Sequence, residues 1–268
     1  MDKAIHLPGG FNIACNMRLI EDGRTIVFIH GFGSAKEHFR YAFEAPSLDK
    51  FSLITLDLVG FGQSRGPDGF GYGMKDQATV VLRVLNKLES GAFHLCAHSM
   101  GGLVAMHMAE TEPGRVLSLV DMEGNLTPED CFISGKVAEG TFEAFAEHGR
   151  EKLERTFRET GREDPGMAEY ADSFATASTV ALYKSACHTV EESSTPLVER
   201  LARIRNACFI YGERNRELYP GEALLRTAGV PIFYIENAGH SMATENPQQL
   251  YRVIRSFIDG LPWPVPPG

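Results

Sequence analysis

The chain has 268 residues, 43% hydrophobic and 23% charged, a balance that excludes a disordered or fibrous protein and suits one large α/β domain or two small ones. Its formal net charge of −9, with no segregated basic patch, repels phosphate backbones and anionic lipid, so neither a nucleic acid nor a membrane is expected as a partner. Five cysteines (Cys15, Cys96, Cys131, Cys187 and Cys208) at wide spacings, with no C-x-x-C, support neither a disulfide framework nor a zinc site.

The opening MDKAIHLPGG lacks a cationic start followed by a long apolar run, and no later window is long enough to span a bilayer; a reducing, cytoplasmic setting is expected. Short apolar runs then recur at TIVFIH (25–30), FSLITLD (51–57), FHLCAH (93–98), VLSLVDM (116–122), ACFIY (207–211) and PIFYIE (231–236). Continuous apolarity over four to seven residues predicts strands buried on both faces. Segments 74–88, 101–110 and 248–258 carry apolar residues at three- and four-residue spacing and predict helices. Alternation of the two predicts a parallel, helix-covered sheet. The alternation stops between 125 and 200, where amphipathic stretches such as GTFEAFAEHGREKLERTFRET dominate. That segment holds 15 acidic and 8 basic residues, so most of the molecule's net charge lies there. It is expected to be an inserted helical cap, with a further layer of helices as the alternative. The ending LPWPVPPG cannot continue a helix and predicts a loose tail.

In LCAHSMGGLVAMHMAE a buried strand turns sharply at AHSMGG and continues as a helix. A serine on so tight a turn needs very small residues two positions to either side, and Ala97 and Gly101 meet that need. Ala97 departs by one methyl group from the usual G-x-S-x-G.

With this motif, FIHGFG (28–33), DLVGFGQS (57–64) and NAGHSMATENPQQL (237–250) stand in an order that resembles the α/β-hydrolase family over nearly the whole chain. The resemblance implies a mostly parallel, eight-stranded-type sheet covered by helices, with a core at 1–124 and 201–268 and the cap at 125–200. It implies Ser99 as nucleophile, His240 as its base, and the backbone N–H groups of Phe32 and Met100 as oxyanion donors. A serine hydroxyl is hardly ionised at neutral pH and needs an adjacent base, a task that suits imidazole. His30 is expected to shape the oxyanion loop, and His98 to line the turn.

The family commonly places its triad acid after the seventh strand, where this chain reads GERN and offers Asn215. Within the family the acid also comes from the end of the sixth strand. Here Glu123 stands at that mouth, with Asp121 one two-residue period deeper and Glu213 beside the usual position as alternatives. The expected activity is that of a serine hydrolase cleaving a small carboxylic ester, lactone or thioester through a Ser99–His240–Glu123 triad and an acyl-enzyme, with no metal and no cofactor. The partner is then a small-molecule substrate, and oligomeric state is unreadable. The alternatives are a carbon–carbon bond hydrolase or hydroxynitrile lyase on the same residues, or a non-catalytic ligand-binding member whose missing aspartate marks a decayed triad.

Overall fold

The computed structural model describes residues 2–261. Eight strands form one sheet: β1 (Asp2–Leu7), β2 (Phe11–Arg18), β3 (Thr25–Ile29), β4 (Ser52–Leu56), β5 (Phe93–His98), β6 (Val116–Met122), β7 (Ala207–Gly212) and β8 (Ile232–Ile235). They are ordered β1-β2-β4-β3-β5-β6-β7-β8, antiparallel from β1 to β2 and from β2 to β4, and parallel elsewhere. The six apolar runs coincide with β3 to β8. The hairpin of β1 and β2 was not among the strands expected from apolar runs: β1 is the edge strand and alternates, with Ile5 and Leu7 buried while Ala4 and His6 face out, and in β2 the polar residues Asn12, Asn16 and Arg18 interrupt the run around the buried Ile13, Ala14 and Cys15. Its turn carries Gly9 and Gly10 at φ 87° and 84°, conformations that suit glycine.

Helices supply the crossovers that parallel strands require. In chain order they are α1 (Met74–Lys87), α2 (Met100–Thr111), α3 (Ser134–Ala138), α4 (Phe142–Ala144), α5 (Arg150–Thr160), α6 (Pro165–Thr176), α7 (Thr179–Glu192), α8 (Val198–Ala202), α9 (Gly221–Ala228), α10 (Met242–Glu245) and α11 (Pro247–Ile258). Helix α1 buries Met74, Ala78, Val81, Leu82 and Leu85, a stripe at helical spacing that joins the core on one face of the sheet. On the opposite face α11 buries Leu250, Tyr251, Val253 and Ile254.

From β6 to β7 the described chain is helical with no strand. A π turn at Phe145–Gly149 separates α4 from α5 within the long amphipathic run. The segment leaves and returns at neighbouring points, since the Leu197 N–H donates to the Leu126 carbonyl at 2.8 Å. The 200/201 boundary falls inside α8. No helix among the described residues is long and apolar enough to cross a membrane. The proline-rich ending from residue 262 onward lies outside the described residues.

The register explains where chemistry gathers. Ile29, Ala97, Asp121 and Phe209 form one row across β3, β5, β6 and β7. Ser99 and Glu123 each lie two residues beyond that row, so both emerge at the C-terminal edge of the sheet, where open α/β sheets form their crevice.

Candidate active site

Ser99 joins β5 to α2 with φ 53° and ψ −129°, a conformation sparsely populated by non-glycine residues and one that persists only where the surroundings impose it. They do so here. The Ser99 N–H donates to the Met122 carbonyl at 3.0 Å. At Gly101 a Cβ would lie 2.5 Å from the Ile29 carbonyl oxygen and 2.7 Å from that of His30, so β3 leaves room only for glycine. Ala97 lies fully buried in β5. Met100 is the first helical residue, and its N–H therefore has no carbonyl four residues back.

The loop after β3 is held by two interlocked turns. His30 Nε2 accepts the Leu58 N–H at 2.9 Å, which leaves the proton on Nδ1, 2.8 Å from the Gly31 carbonyl. Burial pushes the pKa of His30 below the ordinary histidine value, so the ring is a neutral spacer. The Asp57 carboxylate accepts the Lys36 N–H at 2.7 Å and the Gln63 N–H at 2.8 Å, tying the H-G-x-G turn to the D-x-x-G-x-G-x-S turn. These contacts hold the Gly31–Phe32 peptide alongside the serine; a Cβ added to Gly31 would stand 2.9 Å from Ser99 Cβ.

Three donors converge on Glu123. Its Oε2 is 2.7 Å from His240 Nδ1 and accepts Asn215 Nδ2 at 2.8 Å, while Oε1 accepts the Gly212 N–H at 2.7 Å. An ionised carboxylate only accepts, so His240 carries its proton on Nδ1 and Nε2 keeps a free lone pair. The carboxylate side chain is 5% exposed and the imidazole 28%, which leaves the acid desolvated and the ring open to the cavity. The other two acids lie elsewhere. Asp121 is fully buried in β6 against Gly102 and Gly124, and burial raises its pKa well above the usual carboxylate range. Glu213 reaches back to the Asn237 N–H at 3.4 Å.

Asn215 thus stands beside the acid as a donor to it. The sequence signalled something unusual at that position, but the donor role was missed, because an amide can donate or accept and only its partner decides which. The structure also adds residues that carried no motif. Phe132 packs edge-on against His240 at 5.1 Å. Helix α6 roofs the site: Phe174 packs on Phe32 at 6.4 Å, and Glu169 accepts from Arg40 on one side and from Thr244 Oγ1, 2.7 Å away, on the side of the His240 loop. Below this roof lies a cavity of about 700 Å³, lined by Phe32, Ser99, Phe132, Met167, Tyr170 and His240 among others. That is room for a small-molecule substrate. Among the described residues no group of three or more His, Cys, Asp or Glu side chains forms a metal site.

A model of the alpha/beta hydrolase family matches residues 26–253. The chain is 36% identical over 101 residues to a probable lysophospholipase, BODYGUARD 4, of Arabidopsis thaliana, a match that covers 37% of this chain and 24% of that protein. It is 38% identical over 95 residues to the dihydrolipoyllysine-residue acetyltransferase component of the acetoin cleaving system of Cupriavidus necator, covering 35% of this chain and 25% of that protein. These curated relatives are therefore matched over about a quarter of their length. Among solved structures, a thermophilic esterase from Thermogutta terrifontis superimposes with a TM-score of 0.75 at 21% identity, over 97% of this chain and 98% of that one. At that identity the likeness concerns the fold.

Proposed function

This chain belongs to the alpha/beta hydrolase family, and we propose that it is a hydrolase that cleaves small carboxylic esters, lactones or thioesters by a Ser99–His240–Glu123 mechanism. The observation that carries this reading is the 2.7 Å contact between His240 Nδ1 and Glu123 Oε2, on a carboxylate that accepts two further N–H donors. Glu123 orients the ring and stabilises the imidazolium as it forms. His240 Nε2 takes the Ser99 proton as the oxygen attacks the substrate carbonyl, then gives it to the leaving oxygen or sulfur. The N–H groups of Phe32 and Met100 receive the developing oxyanion, with that of Met100 at the positive end of α2. Water activated by the same imidazole then releases the acid from the acyl-enzyme.

Residues 125–200 act in this scheme as a cap. The short bridge between Leu126 and Leu197 supports its being an insertion, and α6 supports its role as the wall of the acyl pocket. Phe32, Phe132 and Met167 favour an apolar acyl group over a charged one.

A fluorophosphonate probe tests the proposal directly, because labelling requires an activated serine. The folded protein is expected to be labelled at Ser99, located by peptide mapping. Folded protein that stays unlabelled, or labelling at another serine, would overturn the reading.

A further inference from the structure

We propose that His98 is a positioning residue that sets the spacing between nucleophile and base; the inference rests on the Ser99–His240–Glu123 reading. His98 Nε2 lies 2.8 Å from the backbone carbonyl oxygen of His240. A carbonyl only accepts, so Nε2 bears the proton and donates it. His98 is covalently next to Ser99, and its hydrogen bond goes to His240's own main chain. One donor therefore spans the gap between the two loops that must meet for proton transfer.

The ring is wedged on its remaining sides. Its Nδ1 faces the oxyanion loop, 3.1 Å from where a Cβ on Gly31 would stand. The His240 ring lies 4.4 Å from one side, tilted by 49°, and the His38 ring stacks at 4.5 Å with an interplanar angle of 27°. His98 thus touches the elbow, the oxyanion loop and the histidine loop at once. It is 6% exposed. Burial, reinforced by the neighbouring imidazoles, holds its pKa well below the usual histidine value, and burial takes that of His38 down to about 3. Both rings are therefore neutral. His98 offers one fixed donor and places no cation beside the ring that must itself become imidazolium.

A residue that merely filled space would serve equally well with any side chain of similar bulk. A positioning donor would not. Misplacing a reacting group by about 1 Å costs on the order of 100-fold in rate, and the loss of one hydrogen bond, worth about 0.5–1.5 kcal/mol, is roughly 2- to 12-fold. His98→Phe keeps the bulk and the stack but has no donor; His98→Gln has a terminal amide that can donate from near the Nε2 position.

The test is the rate of inactivation by a fluorophosphonate probe, resolved into the maximal rate and the half-saturating concentration, with thermal melting as the check on folding. His98→Phe is expected to lower the maximal rate about tenfold with the half-saturating concentration within about twofold of wild type, and His98→Gln to stay within about threefold. If His98→Phe does not fold, His98→Asn, whose shorter amide cannot reach the carbonyl, takes its place with the same expected loss. A maximal rate for His98→Phe within twofold of wild type, or His98→Gln as slow as His98→Phe, would overturn this inference alone. Folded wild type that resists labelling at Ser99 would overturn the Ser99–His240–Glu123 reading, and this inference with it.

Discussion

Glu123→Gln is expected to lower kcat on p-nitrophenyl esters by about 10⁴-fold, the scale of the same acid-to-amide change in serine proteases. The reason is a count of donors. The Glu123 carboxylate accepts from His240 Nδ1, Asn215 Nδ2 and the Gly212 N–H. Glutamine offers one acceptor oxygen where the carboxylate offers two, and its NH₂ group must face at least one of those donors. If the amide nitrogen faces the ring, the imidazole moves its proton to Nε2 and loses the lone pair proposed to take the serine proton. If the oxygen faces the ring, the Gly212 N–H meets the NH₂ group in a site that excludes water. Either way the base is lost or the loop shifts. Initial rates of the folded variant decide it; turnover close to wild type would remove Glu123 from the mechanism.

Asn215→Asp, which restores an acid to the family's usual position, is expected to destabilise the protein in a pH-dependent way. Asn215 Nδ2 donates to Glu123 Oε2 at 2.8 Å, so an aspartate would set two carboxylates in contact. Such a pair cannot readily ionise twice and retains one proton above the ordinary carboxylate values of about 3.9 to 4.3. The folded variant then holds a proton that the unfolded chain has released. Its stability is close to wild type below about pH 4 and declines as pH rises through the raised pKa of the pair. At about 1.4 kcal/mol per unit of displacement, a penalty of about 2 kcal/mol is expected by neutral pH. Chemical denaturation of both proteins at pH 5 and pH 8 measures it. A difference between them that does not grow with pH would contradict the contact.

Much of this was legible in the chain itself, and what was not has physical causes. The six apolar runs correspond to β3 to β8 because strands covered on both faces are mostly apolar, with His94, Ser118 and Asp121 among the buried exceptions, a strong signal in a short window. The hairpin of β1 and β2 lacked that signal, since the edge strand β1 alternates and polar residues interrupt β2. The predicted helices 74–88, 101–110 and 248–258 meet α1, α2 and α11 within a residue at each end; α1 and α11 carry an apolar stripe, whereas α2 is buried nearly all round. Helix α9 showed less, as only Gly221, Glu222 and Leu225 are buried along it. At the candidate site, Ser99 and His240 stood in recognisable motifs, whereas the choice among Glu123, Asp121 and Glu213 depended on side-chain direction. Asp121 still follows the strand and its carboxyl lies against Gly102 and Gly124. Glu123 follows the strand's end at φ 46°, a twist that no sequence period contains. The contacts of His98 and Glu169 join segments 142 and 129 residues apart; neither residue type announces such a partner.

The Nδ1 proton of His240 is the most direct witness to the proposed Glu123–His240 pair. In protein selectively labelled with ¹⁵N-histidine, a far-downfield proton resonance from this hydrogen bond is expected in wild type and in Asp121→Asn, and in folded Glu123→Gln is expected to move upfield, where the amide oxygen faces the ring, or to vanish, where the amide nitrogen does. A resonance left unshifted by Glu123→Gln, or one that is lost in Asp121→Asn instead, would contradict a Glu123–His240 pair.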